Sequence, residues 1–147
     1  MSGDNFGIDK LGDLAGLFGP GPDFNVADSE IISIKLDRNL NRGAPSLTMH
    51  IWAYEFRRAT YQQEITLRFE DIFDLVLDDF NHQNVLSCVQ FSECKELRWA
   101  DTEEPVFRAE WHSKFGASLS FTYKSASVVF MSEKTPFQLG QPQLDRK

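Results

Sequence analysis

From Glu30 to Met131 the apolar residues of this chain recur mainly at every second position, and a period of two builds strands rather than helices. In EIISIKLDR, Ile32, Ile34 and Leu36 alternate with Ser33, Lys35 and Asp37. SLTMHIWAYEF sets Leu47, Met49, Ile51 and Ala53 on one face and Thr48, His50, Trp52 and Tyr54 on the other, which is itself apolar enough to be partly covered. QEITLRFE repeats the pattern with Ile65, Leu67 and Phe69. NVLSCVQF, PVFRAEWHS, ASLSFTYKS and SVVFM read as further strands, and KFG as a hairpin turn in which Gly116 supplies a positive φ. Between Phe69 and Phe80 a helix competes, because Ile72, Phe73, Val76 and Leu77 also fit helical spacing. Strands are favoured there, with a short run at Leu75–Leu77, since β-branched and aromatic residues dominate and no clear cap opens a helix. SECKELRWADTEE, Ser92 to Glu104, reads as an acidic connector.

Ahead of the strands the period changes. Ile8, Leu11, Leu14, Leu17 and Phe18 fall at steps of three and four, which predicts a short amphipathic helix stopped by Gly19, Pro20, Gly21 and Pro22. After Ser132 the chain becomes polar, with Pro136, Gly140 and Pro142. The expectation is one globular domain over residues 8–132, with flexible termini at 1–7 and 133–147. Its predicted class is mainly β (α+β): an antiparallel β-sandwich or strongly curled sheet of about seven to eight strands with one N-terminal helix. A chain of 147 residues is long enough to bury roughly 70% of its unfolded surface, so one real core is expected.

Charge is unevenly placed. Phe69 to Glu104 holds ten acids and two bases, a net charge of −8 within a chain of net −7. That concentration argues against nucleic-acid binding and favours a basic partner. No apolar run is long enough for a membrane span, and Asp4, Asp9 and Asp13 stand where a signal peptide would be basic and then apolar, so the expected address is the cytoplasm. Cys88 and Cys94 lack CxxC spacing and are expected to stay reduced, Cys88 as a small core residue.

Catalytic signatures are absent from the sequence: it has no phosphate-binding glycine loop, GxSxG elbow, HExxH helix or EF-hand loop. GPGP is too proline-locked to wrap a phosphate. The three histidines, His50, His82 and His112, have no second ligand at HxH spacing, and no cofactor or metal is expected. In FNHQNVL, Asn81, His82, Gln83 and Asn84 place four hydrogen-bonding side chains in a row. Asn bonds nearby backbone and tolerates left-handed conformations, so the cluster is expected to buckle a turn rather than catalyse.

The run FEDIFDLVLDDFNHQNVL, Phe69 to Leu86, with its Phe80, Asn81, Gln83 and Asn84, resembles the signature of the immunity protein 50 family of bacterial polymorphic-toxin systems. LFGPGPDF through Phe24, DSEIISIKLDR with Asp28 and Glu30, and Phe107 to Phe121 resemble other parts of it in the same order, over roughly Leu11 to Met131. One departure is Ala27, which stands where the family has a histidine, with two residues inserted nearby. The resemblance implies a small cytoplasmic protein with no catalysis of its own that binds and neutralises a cognate toxin domain, in many such systems a nuclease.

The acidity suggests where. Asp71, Asp74, Asp78, Asp79, Glu96, Asp101, Glu103 and Glu104 are expected to form or rim the partner-binding face, with Trp99 as its aromatic anchor. Two other readings compete. One is a ligand-binding β domain whose cavity is lined by Trp52, Tyr54, Trp111 and Tyr123. The other is an enzyme built around Asp28, Glu30 and His50 or His82.

Overall fold

A computed structural model describes residues 6–9, 23–25, 29–40, 44–54, 61–99, 104–133 and 135–136; for 23–25, 54, 61 and 95–99 it describes the backbone alone. The chain is mainly β. Its strands are β1 (Ile8–Asp9), β2 (Asp23–Asn25), β3 (Glu30–Asp37), β4 (Ser46–Tyr54), β5 (Tyr61–Glu70) and β6 (Phe73–Asp78). They continue with β7 (Val85–Trp99), β8 (Glu104–Phe115), β9 (Ser118–Tyr123), β10 (Ser125–Met131) and β11 (Thr135–Pro136). Nearly all pairings are antiparallel, in one sheet of order β1-β10-β5-β4-β3-β7-β8-β9-β6, with β11 on β5 and β2 on β7.

Two long bent strands, β5–β6 and β9–β10, fold this sheet into two facing parts. β5 and β6 are separated only by Asp71 and Ile72, β9 and β10 only by Lys124, and the two bent strands stay paired around the bend. Ser125 lies opposite Glu70 on one side of it and Phe73 opposite Thr122 on the other. Lys124 N donates to Glu70 O at 3.1 Å across the corner. Strands that switch sheets in this way make the corners of curled β structures. At the opposite side the link is thinner: β3 meets β7 only through Glu30 and Val85.

The core fills the space between the two parts. Leu47, Met49, Ile51 and Ala53 of β4 and Ile65, Leu67 and Phe69 of β5 are all fully buried, as their alternation requires. They face Trp111, Leu119, Phe121 and Tyr123 of β8 and β9. Phe69 sits at the centre, its ring 4.9 Å from Phe121, 5.0 Å from Tyr123 and 6.4 Å from Trp111, each edge-on. Edge-to-face packing sets the positive ring edge against a negative face and adds to the area buried.

Several expectations need correction. The N-terminal helix is not supported: Ile8 and Asp9 form a strand parallel to β10, and Ile8 is fully buried. Leu11, Leu14, Leu17 and Phe18 lie outside the described residues, among which no helix occurs. Pairing on β10 gives the Ile8 backbone partners that a free helix end would leave unmet. Phe6, ahead of the domain boundary expected at Ile8, stacks on Phe91 with ring centroids 6.3 Å apart. Past the other boundary, Thr135 and Pro136 pair with Gln62 and Tyr61.

In β3, Ile32 was expected to point inward with Ile34 and Leu36. A bulge lies between Ile31 and Ser33, so Ile31 takes the core position and Ile32 is left exposed; Leu36, near the end of β3, is exposed too. The extra residue of a bulge shifts the alternation by one and flips the side chains before it to the other face. The expected connector from Ser92 is strand as far as Trp99, which pairs with Glu104. Among the described residues the strands number eleven rather than seven or eight, because β1, β2 and β11 add short pieces.

Candidate functional site

The Asn81–Asn84 turn is a clamp between two chain segments. Asn84 is buried, and its Oδ1 accepts the N–H of Asn81 at 3.0 Å and that of Ala117 at 3.0 Å. Its Nδ2 donates to Asn81 O at 2.7 Å. Asn81 Oδ1 in turn accepts Gln83 N at 2.9 Å, and Asn81 Nδ2 donates to Asp79 O at 3.1 Å. Ile31 N reaches Asn84 O at 2.9 Å, which ties β3 to the same turn. Gly116 lies against it at φ +78°, and a Cβ there would collide with Gln83 O and Asn84 Oδ1. Every polar atom of the Asn84 side chain is thus engaged in holding backbone, and His82 is exposed beside it. The buckle expected from the sequence is what forms.

Around this clamp the surface is apolar and acidic. Among the described residues β6 is the last strand of the sheet and pairs only with β9, Val76 opposite Ser120, Leu77 opposite Leu119 and Asp78 opposite Ser118. Val76 is 54% exposed, Leu77 37%, Phe80 45% and, at the end of β8, Phe115 61%. Asp74, Asp78 and Asp79 are exposed among them, and no hydrogen bond or ion pair engages their carboxylates among the described residues. Asp74 and Asp79 hold positive φ, 56° and 60°, a conformation Asp tolerates better than most side chains. Asp74 coincides with the register shift of β6, so the strand is regular only from Val76 to Asp78.

The predicted acidic face is therefore divided. Asp71 is buried at the corner between β5 and β6 and does not join the other three. Glu104 opens β8 at the end remote from Phe115, a strand of 12 residues that spans roughly 35 Å at about 3.3 Å per residue. Its carboxylate meets Lys124 Nζ at 2.5 Å. Glu96 and Trp99 lie on β7 toward that remote end, with side chains outside the described set, and Asp101 and Glu103 fall outside the described residues altogether. Asp28 does too, while Phe24 pairs with Val89 and Glu30 with Val85. Of the predicted partner-binding residues, Asp74, Asp78 and Asp79 are exposed on or just after β6.

What the sequence reading missed is the apolar part of this surface. Its only signal was LVL at Leu75–Leu77, three apolar residues in succession where a half-buried strand would show alternation. At this edge strand Val76 and Leu77, which alternate across the sheet, are both exposed.

His50 and His112 have ordinary partners. His50 Nε2 lies 3.1 Å from Glu64 Oε1, and His112 Nε2 3.0 Å from Gln90 Oε1. No group of three His, Cys, Asp or Glu among the described residues is placed to hold a metal ion. Trp111 and Tyr123 are packed into the core, and Trp52 donates its indole N–H to Gln62 beside a shallow polar groove of about 350 Å³. The Tyr123 hydroxyl donates to Phe6 O at 2.7 Å, and burial, with Cys94 adding to it, pushes its pKa well above the ordinary tyrosine value. Cys88 and Cys94 are half-buried free thiols. Burial raises the Cys94 pKa, Glu93 adds to the rise and Arg108 opposes it, so the thiolate that reactive cysteines need is disfavoured.

Among the described residues no helix is long and apolar enough to cross a membrane. Comparisons with protein-family models, with curated proteins and with solved structures gave no match.

Proposed function

We propose that this chain is a non-catalytic binding module that docks onto and blocks a partner protein domain, a bacterial toxin domain of the kind the sequence resemblance implies, through the surface around β6. One observation carries the reading: Val76, Leu77, Phe80 and Phe115 are exposed around one clamped junction, with Asp74, Asp78 and Asp79 beside them. Apolar contacts at the centre and charge at the rim are the anatomy of a protein interface. The carboxylates would meet a basic surface, such as one that a nuclease offers its substrate, and would steer association in a salt-dependent way.

The test is a titration of the full chain against the toxin domain encoded beside it, at low and high salt. The comparison is the double variant Asp78→Lys with Asp79→Asn, in which Asn suits the positive φ at position 79. Tight binding that weakens with salt, and that the variant lowers at least about tenfold through the association rate, supports this surface. Binding unchanged in the variant at both salts removes it.

A further inference from the structure

The open edge of β6 suggests how such a partner is held. Resting on the reading above, we propose that β6 accepts an extended, basic segment of the partner as an added β-strand, with an apolar side chain of that segment seated in the groove beside Phe73.

Three observations lead there. β6 ends the sheet beside β9, so the outer edge of its regular part, Val76 to Asp78, presents backbone donors and acceptors that no strand among the described residues meets. Sheet edges of this kind take extended peptides by main-chain hydrogen bonding, and pockets for alternate side chains give selectivity.

The second observation is a groove of about 400 Å³ between β6 and the β3–β4 hairpin. Leu36, Pro45, Ile72, Phe73 and Leu75 line it, and Asp37, Arg38 and Asp74 stand with them. It lies at the start of β6, where Ile72 N donates to Pro45 O at 3.0 Å and fixes the hairpin against the strand. An added strand would thus meet an apolar seat rimmed by Asp37, Arg38 and Asp74 at one end of β6 and the carboxylates of Asp78 and Asp79 at the other.

Charge decides the occupant. A second copy of this chain pairing antiparallel through β6 would bring its own Asp74, Asp78 and Asp79 against the same three carboxylates. Like charges directly opposite each other destabilise a strand pair. The same carboxylates favour a segment that carries Lys or Arg at alternate positions after an apolar residue. Asp74 and Asp78 therefore both discourage self-pairing and select a basic strand.

The experiment uses the isotope-labelled full chain and three short synthetic peptides. The first alternates valine and lysine; the other two are the same peptide with alternate backbone nitrogens methylated, one in each register. The first is expected to shift the amide signals of Phe73 to Phe80 and to slow hydrogen exchange at Val76–Asp78 by about tenfold. One methylated register should lose this effect and the other keep it, because only one set of peptide amides faces β6. If both methylated peptides bind as well as the parent while Asp78→Lys with Asp79→Asn abolishes binding, charge alone holds the ligand; strand addition is then overturned and the acidic-surface reading stands. If the parent peptide moves no amide of β6, strand addition is likewise overturned, and the toxin-domain titration with the same variant decides the functional reading separately. Slowed exchange in β6 that grows with protein concentration, without peptide, would make a second copy the occupant and overturn the choice of a basic partner.

Discussion

Asn84 Oδ1 accepts the backbone N–H of Ala117 at 3.0 Å, joining two chain segments 33 residues apart inside the protein. The same oxygen holds Asn81 N, and the neighbouring Nδ2 holds Asn81 O. Asn84→Ala would leave the Ala117 N–H without a partner in a buried site and remove two part-buried bonds to the Asn81 backbone. The expected loss is about 2–4 kcal/mol of folding stability, read as a fall in Tm of roughly 5–12 °C. Asn81→Ala, whose side chain serves an exposed turn, should cost well under half as much in the same thermal melt.

Gly116→Ala should destabilise for two reasons at once. Its φ of +78° disfavours any L side chain, and its Cβ would strike Gln83 O and Asn84 Oδ1. A loss of about 2–4 kcal/mol is expected in urea unfolding. Because Asn84→Ala removes one of the colliding atoms, the two changes should combine for less than the sum of their separate costs.

Phe69 is the side chain against which the two parts of the sheet close. Phe69→Ala removes edge-on contacts with Trp111, Phe121 and Tyr123 together. A cost of about 3–5 kcal/mol is expected from lost transfer energy and the cavity left behind. Differential scanning calorimetry would report it, with one transition if the two parts melt as a unit.

Tyr123 should set an alkaline limit. Its folded pKa is raised, chiefly by burial, above the value of about 10 expected for an unfolded tyrosine. Below that value both states are protonated and its contribution is fully present. Above it the unfolded chain loses a proton that the folded chain retains, so stability falls as pH rises from about 10 toward the folded pKa. Tyrosinate absorbance should show at least one of the three tyrosines silent until the chain unfolds. Tyr123→Phe should flatten this part of the stability profile while forfeiting the hydrogen bond to Phe6 O, at about 1 kcal/mol near neutral pH.

The candidate site was partly legible. Asn81 to Asn84 could be read as a turn because asparagine acts on backbone two or three residues away, within reach of a local pattern. That Asn84 clamps Ala117 could not, since nothing in either segment specifies the other. Asp74, Asp78 and Asp79 were named from charge density alone, and so were Asp71 and Glu104. Chain proximity grouped all five, but the corner buries Asp71 and the length of β8 carries Glu104 away.

By itself the sequence determined the inward sets of β4 and β5 and the glycine turn at 116, because alternation and positive φ are properties of single backbone segments. Tertiary structure decided the rest. It made Ile8 a strand, since β10 offered backbone partners, and it exchanged Ile31 for Ile32 through a bulge against β4. It also left β6 as the last described strand of the sheet, because that position follows from which strands pair around the corner. Pairing is non-local, and a one-dimensional period carries no record of the partner strand.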